Sequence, residues 1–173
     1  MSRTLFITLM CGCLLAETVK DASAEGIPER EMRAAYLYNF ALFTEWPNLT
    51  SDNIQLCILK TDQPDFAAEK IERKLINGKM LTITTVATSS EAKSCQIFYI
   101  SSYQSNNLSK IINDLADYPV LTVSDGEDAA QQGTMIELFV ENNRLNFKVN
   151  NKAVHGANLS LSAKLLRLAK AVY

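Results

Sequence analysis

The chain has 173 residues and a formal net charge of −2, with 47% apolar and 21% charged residues. This profile is typical of one water-soluble domain and excludes a disordered, collagen-like or polytopic membrane protein. Because Lys and Arg (17) do not outnumber Asp and Glu (19), and His155 is the single histidine, we predict no nucleic-acid partner, metal or cofactor.

The first 24 residues have the pattern of a secretory signal. Arg3 supplies the positive start, residues 5–16 are apolar, and residues 22–24 (ASA) form a small-residue cleavage site. The apolar stretch spans about 18 Å as a helix, less than the roughly 30 Å of a bilayer core, so a retained membrane span is the weaker interpretation. The pattern predicts export, removal of residues 1–24 and a single mature domain over residues 25–173.

The hydrophobic pattern of the mature chain predicts helices that alternate with strands. A helix is expected over residues 29–43, with an apolar stripe at helical spacing on its core-facing side. Strand-like runs follow at 54–59, 81–86, 96–100, 120–123, 135–140 and 145–149. Helix-like segments lie at 66–76, at 108–115 and, as one short turn, at 127–132.

The C-terminal part of the chain adds two further signals. Residues 141–144 (ENNR) are typical of a turn between two antiparallel strands. Residues 160–162 (SLS) are expected to lead a C-terminal helix with one apolar face made of Leu161, Leu165, Leu168 and Val172. The whole pattern predicts a single three-layer α/β domain. Its mostly parallel central sheet is flanked by helices and has an antiparallel hairpin near the C-terminal end.

Two cysteines, Cys57 and Cys95, remain after the predicted cleavage. We predict a disulfide between them, because each lies in or beside a strand-like apolar run and exported thiols pair and persist as disulfides. Two separate buried thiols are the alternative. A redox-active pair is less favoured, since such cysteines usually lie close together at the start of a helix.

Sequence motifs for catalysis are absent. The chain has no Gly-rich dinucleotide turn, no phosphate loop and no Gly-x-Ser-x-Gly elbow. His155 lies in a polar stretch, where a surface or capping group is more common than a catalytic base. We therefore predict that the protein is not an enzyme.

Polar residues near two predicted elements are the other candidates for chemistry. Ser124 and Asp125 follow a predicted strand, where open α/β sheets bind ligands, but a cap of the next short helix is the favoured interpretation. The acidic residues between positions 62 and 72 are interpreted as a solvated helix and its approach rather than as a metal site; they are Asp62, Asp65, Glu69 and Glu72.

The first predicted helix is apolar on its back as well as on its core-facing side. We hypothesise that Leu37, Tyr38 and Ala41 form a surface for a second copy or a partner protein. The alternative is that both faces of this helix are buried inside the monomer.

Aromatic residues in and after the first helix allow a second class of function. Tyr36, Phe40 and Trp46 can line the pocket of a periplasmic protein that binds or senses a small molecule. Core packing explains the same three residues equally well.

With these segments in place, the sequence resembles the YfiR-like family of bacterial periplasmic regulators. The resemblance covers nearly all of the mature chain. Four stretches carry it, the last of them the C-terminal half: 34–47 (AAYLYNFALFTEWP), 56–59 (LCIL), 95–100 (CQIFYI), and then 119–125 (PVLTVSD), 133–136 (GTMI), 145–150 (LNFKVN) and 161–169 (LSAKLLRLA).

The resemblance implies a compact α/β domain, usually a homodimer, without catalytic activity. Its best-understood members resemble inhibitors that bind the periplasmic sensor part of an inner-membrane diguanylate cyclase and lower cyclic di-GMP. An outer-membrane lipoprotein of the OmpA type then sequesters them. Cys57 and Cys95 match the family's first cysteine pair, whereas a second pair found in some members has no counterpart in this sequence.

Overall fold

Long apolar runs in the middle of the chain become the central strands of a sheet. The computed structural model describes residues 28–47, 49–62 and 65–173, so the predicted signal peptide, residues 1–24, lies outside the described residues. The helices are α1 (Glu29–Leu42), α2 (Leu108–Leu115), α3 (Asn151–Gly156) and α4 (Ala163–Leu166). The strands are β1 (Thr44–Glu45), β2 (Asn53–Leu59), β3 (Leu75–Ile76), β4 (Lys79–Val86), β5 (Ile97–Ile100), β6 (Leu121–Ser124), β7 (Ile136–Glu141), β8 (Arg144–Val149), β9 (Ser160–Leu161) and β10 (Ala171–Val172).

The described strands form an eight-stranded sheet in the order β10-β8-β7-β6-β5-β2-β4-β3, while β1 pairs with β9 outside it. From β4 to β7 all neighbouring strands run parallel. Within the eight-stranded sheet the antiparallel pairs are β3 with β4 and β7 with β8, and the separate β1–β9 pair is also antiparallel. Every residue of β5 and β6 is buried, as expected for parallel strands that are covered on both faces. The predicted mostly parallel α/β domain is confirmed.

Helices cover both faces of the sheet and make three layers. Ile97 and Tyr99 of β5 pack in one apolar cluster with α1, and the alternate residues Phe98 and Ile100 pack in a second cluster with α2. This division follows from the alternation of side chains along a strand. No helix within the described residues is long and apolar enough to cross a bilayer.

Two-residue turns close both antiparallel pairs of the eight-stranded sheet. Asn77 and Gly78 join β3 to β4, and Asn142 and Asn143 join β7 to β8. All four residues have positive φ angles, of 50°, 84°, 51° and 57° respectively. A type I′ hairpin turn requires this conformation, which Asn and Gly adopt most readily. The hairpin predicted at 141–144 is confirmed.

The helix predicted over residues 66–76 is wrong. Ala68–Lys70 forms a short 3-10 helix, and Leu75–Ile76 is strand β3. Arg73 has a φ of 65°, which interrupts any helical backbone there. The Asn-Gly pair at positions 77 and 78 favours a hairpin, and this local signal outweighs the helical spacing of the apolar residues.

The C-terminal helix is much shorter than predicted. Ser162 caps α4 by accepting the Leu165 N–H at 3.2 Å, but the helix ends at Leu166. The chain then continues as β10, which pairs with the open edge of β8. Leu168, expected on the core-facing side, is 66% exposed, because backbone pairing with the sheet replaces burial of a helical face.

Candidate functional site

Asp125 lies at the carboxyl end of β6, at the edge where the parallel strands of the sheet end. Its Oδ1 accepts the N–H of Ser102 at 2.6 Å, and its Oδ2 accepts a hydrogen bond from Arg33 Nη1 at 3.0 Å. Ser124 Oγ accepts the Gly126 N–H at 3.0 Å and closes the turn after the strand. Ser124 thus accepts a backbone N–H, but the predicted helix cap is wrong, because residues 127–132 form turns and not a short helix. Asp125 joins α1 and the segment after β5 to the end of β6.

Arg33 on α1 is the cation of this cluster. Its Nε and Nη2 donate to Glu29 Oε1 at 3.1 and 2.7 Å, and Nε lies 3.8 Å from Asp65 Oδ2. Burial of the guanidinium lowers the pKa of Arg33. The hydrogen bond to Glu29 and the charges of Asp125 and Asp65 outweigh this effect, so the pKa is raised. One guanidinium is thus shared among three carboxylates. Sequence reasoning missed this network, since Arg33 and Asp125 are 92 positions apart.

Tyr99 on β5 is fully buried near the Arg33–Asp125 pair. Its ring meets that of Phe66 edge-on, at a centroid distance of 5.2 Å. Among the described residues its hydroxyl has no hydrogen-bond partner of acceptable geometry. Burial has the largest effect on the pKa of Tyr99 and raises it well above its usual range. The nearby Asp125 carboxylate raises it further. Tyr99 therefore stays neutral at physiological pH.

A cavity of about 410 Å³ opens beside this cluster, and we call it the Arg33 cavity. Its wall includes Arg33 and Asp125 and, from β7 and β8, Glu137, Phe139 and Lys148. Lys148 Nζ donates to the buried Glu137 Oε1 at 2.8 Å and lies 4.9 Å from the Phe139 ring centroid. The hydrogen bond to Glu137 raises the pKa of Lys148. The cavity presents two fixed cations, carboxylates and an aromatic ring to a bound solute.

A second concavity, the α1 groove, runs along the exposed side of α1 and has a volume of about 310 Å³. Its other wall is the segment that follows the short 3-10 helix. Residues from both elements line it: Glu31, Met32, Ala35, Tyr38, Asn39, Lys70, Ile71 and Lys74. Lys70 Nζ pairs with Glu31 Oε1 at 3.0 Å across the groove.

The three residues of the predicted partner surface differ in how far they are buried. Leu37 and Ala41 are 0% exposed and belong to the core under α1, so they have no surface to offer a partner. Tyr38 is partly exposed and lines the α1 groove. A partner surface on this helix therefore depends on Tyr38.

The three aromatic residues of the predicted ligand pocket make core contacts. The Tyr36 and Phe40 rings pack edge-on against Phe147, at centroid distances of 5.8 and 5.1 Å. Trp46 Nε1 donates to the Gln96 carbonyl at 3.1 Å. None of these three residues lines the Arg33 cavity or the α1 groove.

The predicted disulfide between Cys57 and Cys95 is confirmed. It joins β2 to the residue two positions before β5, with a Cα–Cα distance of 6.1 Å. Both cysteines are buried in the apolar cluster on the α2 side of the sheet. The bridge closes a covalent loop with a sequence separation of 38, and this loop contains β3 and β4.

The remaining candidates have structural settings of their own. His155 is exposed in α3, a helix that the sequence analysis did not predict although Asn150 caps it by accepting the Ala153 N–H at 2.9 Å. Asp62 is buried and accepts a hydrogen bond from Gln104 Nε2 at 2.6 Å. With Asp65 near Arg33, the acidic residues between 62 and 72 do not form the solvated helix that was predicted.

Comparison with solved structures shows relatives of the fold. One is a conserved domain protein from Vibrio cholerae O1 biovar El Tor, matched with a TM-score of 0.54 and 10% identity over 82% of this chain and 59% of that protein. Another is an ABC domain from Streptococcus pneumoniae in complex with L-Trp, matched with a TM-score of 0.51 and 9% identity over 72% of this chain and 57% of that protein. This chain spans less than two thirds of either protein, and the likeness concerns the fold alone.

The family of the chain follows from its sequence. Comparison with curated proteins finds no match. The YfiR/HmsC-like family matches residues 30–170, a span that includes Arg33, Asp125 and both cysteines of the disulfide. The chain therefore belongs to the YfiR/HmsC-like family.

Proposed function

We propose that this protein is a non-catalytic repressor. It binds the periplasmic sensor part of an inner-membrane diguanylate cyclase, or of a related signalling protein, and lowers cyclic di-GMP. The observation that carries the proposal is the family match over residues 30–170. The export pattern of residues 1–24 and the Cys57–Cys95 disulfide, which suits an oxidising compartment, support it.

Repression of this kind is a problem of conformational equilibrium. A periplasmic protein cannot touch a catalytic domain in the cytoplasm, so it acts by binding one conformation of the membrane protein more tightly than another. Shifting a balanced equilibrium to about 99:1 requires roughly 2.7 kcal/mol of differential binding. Burial of about 100 Å² of apolar surface supplies that amount.

Two further partners follow from the resemblance to the family. We propose that the protein works as a homodimer. We also propose that an outer-membrane lipoprotein of the OmpA type relieves the repression by sequestering it. Size measurement of the purified protein in solution tests the first partner, and co-purification from cells that express a tagged lipoprotein tests the second.

The proposed repression is tested by deleting the gene in the source bacterium and measuring cyclic di-GMP. We expect the level to rise in the deletion strain. The native chain should restore it, whereas a chain without residues 1–24, which is retained in the cytoplasm, should not. An unchanged level in the deletion strain contradicts the proposal.

Small-ligand binding is a second candidate function, and the Arg33 cavity favours it. Its volume of about 410 Å³ is within the usual range of ligand sites, and its wall offers charges of both signs. A ligand that binds the folded state raises its melting temperature by mass action. We expect a charged metabolite from a panel to raise the Tm of the native protein but not that of Lys148→Met. No shift with any metabolite of the panel contradicts this function.

A further inference from the structure

The parallel part of the sheet changes its direction of winding between β2 and β5. When its strands are numbered along the chain, β2, β4, β5, β6 and β7 stand side by side in the order second, first, third, fourth and fifth. The connection after β2 therefore leads to one side, and the connections after β5 lead to the other. Open α/β sheets with this order bind ligands outside the carboxyl ends of the two strands at that point.

A hollow of about 230 Å³ lies at this point, and we call it the switch hollow. Its wall is built by the segments that follow β2, β4 and β5 and by the first part of α2. The polar residues of the wall are Thr61, Thr88, Ser89, Gln104, Asn107 and Lys110. The hollow shares no lining residue with the Arg33 cavity or the α1 groove.

We propose that the switch hollow binds a small primary amine in its ammonium form. The position of the hollow in the fold, the hydrogen bonds of its wall, the charges beside it and its size all support this ligand class. The inference goes beyond the repressor function and the Arg33 cavity and depends on neither.

The hydroxyl groups in the wall already donate their protons within the protein. Ser89 Oγ donates to Asp114 Oδ2 at 2.5 Å, and Thr88 Oγ1 donates to Glu91 Oε1 at 3.4 Å. A hydroxyl has one proton but two lone pairs. Each of these oxygens therefore still accepts a hydrogen bond from a ligand.

The amide groups in the wall also leave an acceptor free. Asn107 Nδ2 donates to Gln104 Oε1 at 3.1 Å, and Gln104 Nε2 donates to Asp62 Oδ1 at 2.6 Å. The side chain of Asn107 makes no capping hydrogen bond to α2, so its Oδ1 is available. An ammonium group carries three N–H donors and no acceptor, which is the complement of this wall.

The charges beside the hollow favour a cation over an anion. Lys110 is neutralised by Asp114, whose Oδ2 lies 2.7 Å from its Nζ. Asp62 is only 8% exposed, and neither Asp62 nor the exposed Glu91 forms an ion pair within the described part of the chain. Lys60 is a neighbour in sequence but does not line the hollow. A buried carboxylate without a cation is unfavourable, and a cation bound in the hollow offsets this term.

The size and the apolar side of the hollow limit the rest of the ligand. Its volume exceeds the about 150 Å³ of a cavity that holds benzene and is smaller than the roughly 300 Å³ of a drug-sized site. Leu59 and Ile111 line it and are 7% and 3% exposed. A short alkyl chain packs against these two residues while its ammonium group meets the acceptors of the wall.

Titration of the purified, oxidised protein followed by NMR tests the site. The probe is n-butylamine, and 1-butanol and butyrate are the neutral and anionic controls of similar size. We expect butylamine to shift the amide signals of residues 60–62, 88–91 and 104–111 in a saturable manner. Its affinity should exceed that of either control by about tenfold or more.

Replacements at exposed positions test the wall without disturbing the core. Asn107→Leu and Glu91→Gln should each weaken butylamine binding about tenfold, because each removes an acceptor or a charge that favours the ammonium group. The matched controls Asn106→Leu and Glu72→Gln are also exposed and lie outside the hollow, so they should bind like the native protein. Asp62→Asn should weaken binding in the same direction, and its Tm shows whether this buried variant is folded.

Three results overturn the inference. The first is the absence of a saturable shift with butylamine, and the second is binding of butanol or butyrate as tight as that of butylamine. The third is a set of shifts confined to residues 125–128 and 137–148 that Lys148→Met abolishes, because that result assigns the amine to the Arg33 cavity. None of these measurements depends on cyclic di-GMP, so the switch hollow and the repressor function fail on different results.

Discussion

Arg33 on α1 donates to Asp125 at the end of β6 over 3.0 Å, although 92 positions separate the two residues. The Arg33 and Asp125 side chains are 10% and 7% exposed, so both charges are almost removed from water. A buried ion pair contributes little net stability compared with apolar packing, but loss of one partner is severe. The pair therefore fixes α1 against the carboxyl edge of the sheet.

Replacement of Arg33 tests this role. Arg33→Met should lower the free energy of unfolding by about 3 kcal/mol, because the buried Asp125 carboxylate loses its cation. The double variant Arg33→Met/Asp125→Asn should lose less than the sum of the single variants. Urea unfolding of the oxidised proteins measures both effects. Equal stability of Arg33→Met and the native protein contradicts the prediction.

Truncation of Leu37 distinguishes core packing from partner contact on α1. Leu37→Ala should destabilise the protein by about 3 kcal/mol, because it leaves a cavity at a fully buried position. Tyr38→Phe should stay within about 1 kcal/mol of native, because one hydrogen bond at an exposed site is lost. Urea unfolding is again the measurement. If Leu37→Ala is as stable as the native protein, Leu37 does not pack in the core and the predicted surface role is favoured.

Removal of the disulfide tests how much the covalent loop contributes to stability. Cys57→Ala/Cys95→Ala should lower the free energy of unfolding by about 4 kcal/mol, the chain-entropy value for a loop of this length. A reductant added during unfolding should lower the stability of the native chain to the same level. It should not change the double variant, which serves as the control.

Two effects are expected from the buried hydroxyl of Tyr99. One is on the stability of the protein, and the other is on how that stability changes at alkaline pH. Tyr99→Phe should leave stability unchanged or raise it by about 1 kcal/mol, since the hydroxyl has no hydrogen-bond partner among the described residues. Burial raises the pKa of Tyr99 in the folded protein. As the pH rises, the unfolded chain therefore loses the hydroxyl proton before the folded protein does, at about pH 10. The contribution of the neutral hydroxyl is therefore present below about pH 10 and declines as the pH rises. Urea unfolding at neutral and alkaline pH should show a weaker decline in Tyr99→Phe.

The hydrogen bonds of Asp114 predict that the stability of the protein depends on pH in the acidic range. Lys110 Nζ and Ser89 Oγ donate to its Oδ2 at 2.7 and 2.5 Å, and these hydrogen bonds lower the pKa of Asp114. The folded protein therefore binds this proton less readily than the unfolded chain. The contribution is present above about pH 4, the usual range for Asp, and is lost as the pH falls through the lower folded value. Acid unfolding curves of Asp114→Asn should lack this part of the pH dependence, and identical curves contradict the prediction.

The elements that the sequence predicted well are those whose local pattern matches their final surroundings. The continuous apolar runs at 54–59 and 96–100 become central strands that are covered on both faces. The helix predicted over 108–115 is observed with the same bounds, because Leu108, Ile111 and Leu115 face the sheet at helical spacing. The disulfide also followed from local signals and the expected compartment.

The elements that the sequence predicted poorly depend on competition with distant parts of the chain. Residues 66–76 have helical spacing, but Leu75 and Ile76 find backbone partners in β4. Residues 171–172 likewise pair with β8 instead of extending α4. The Arg33–Asp125 pair and the α1 groove join segments far apart in sequence, and no local pattern encodes such a meeting. The burial of Leu37 and Ala41 also depends on contacts between distant segments, which no local pattern shows.

The loop closed by Cys57 and Cys95 contains the segment with Lys70, Ile71 and Lys74, which is one wall of the α1 groove. The opposite wall, α1, lies outside that loop. Opening the bridge while the domain stays folded should therefore raise deuterium uptake at the amides of residues 70–81 and leave those of α1 nearly unchanged. A change in the oxidation state of this one bridge is thus expected to alter how rigidly one side of the groove is held against the other.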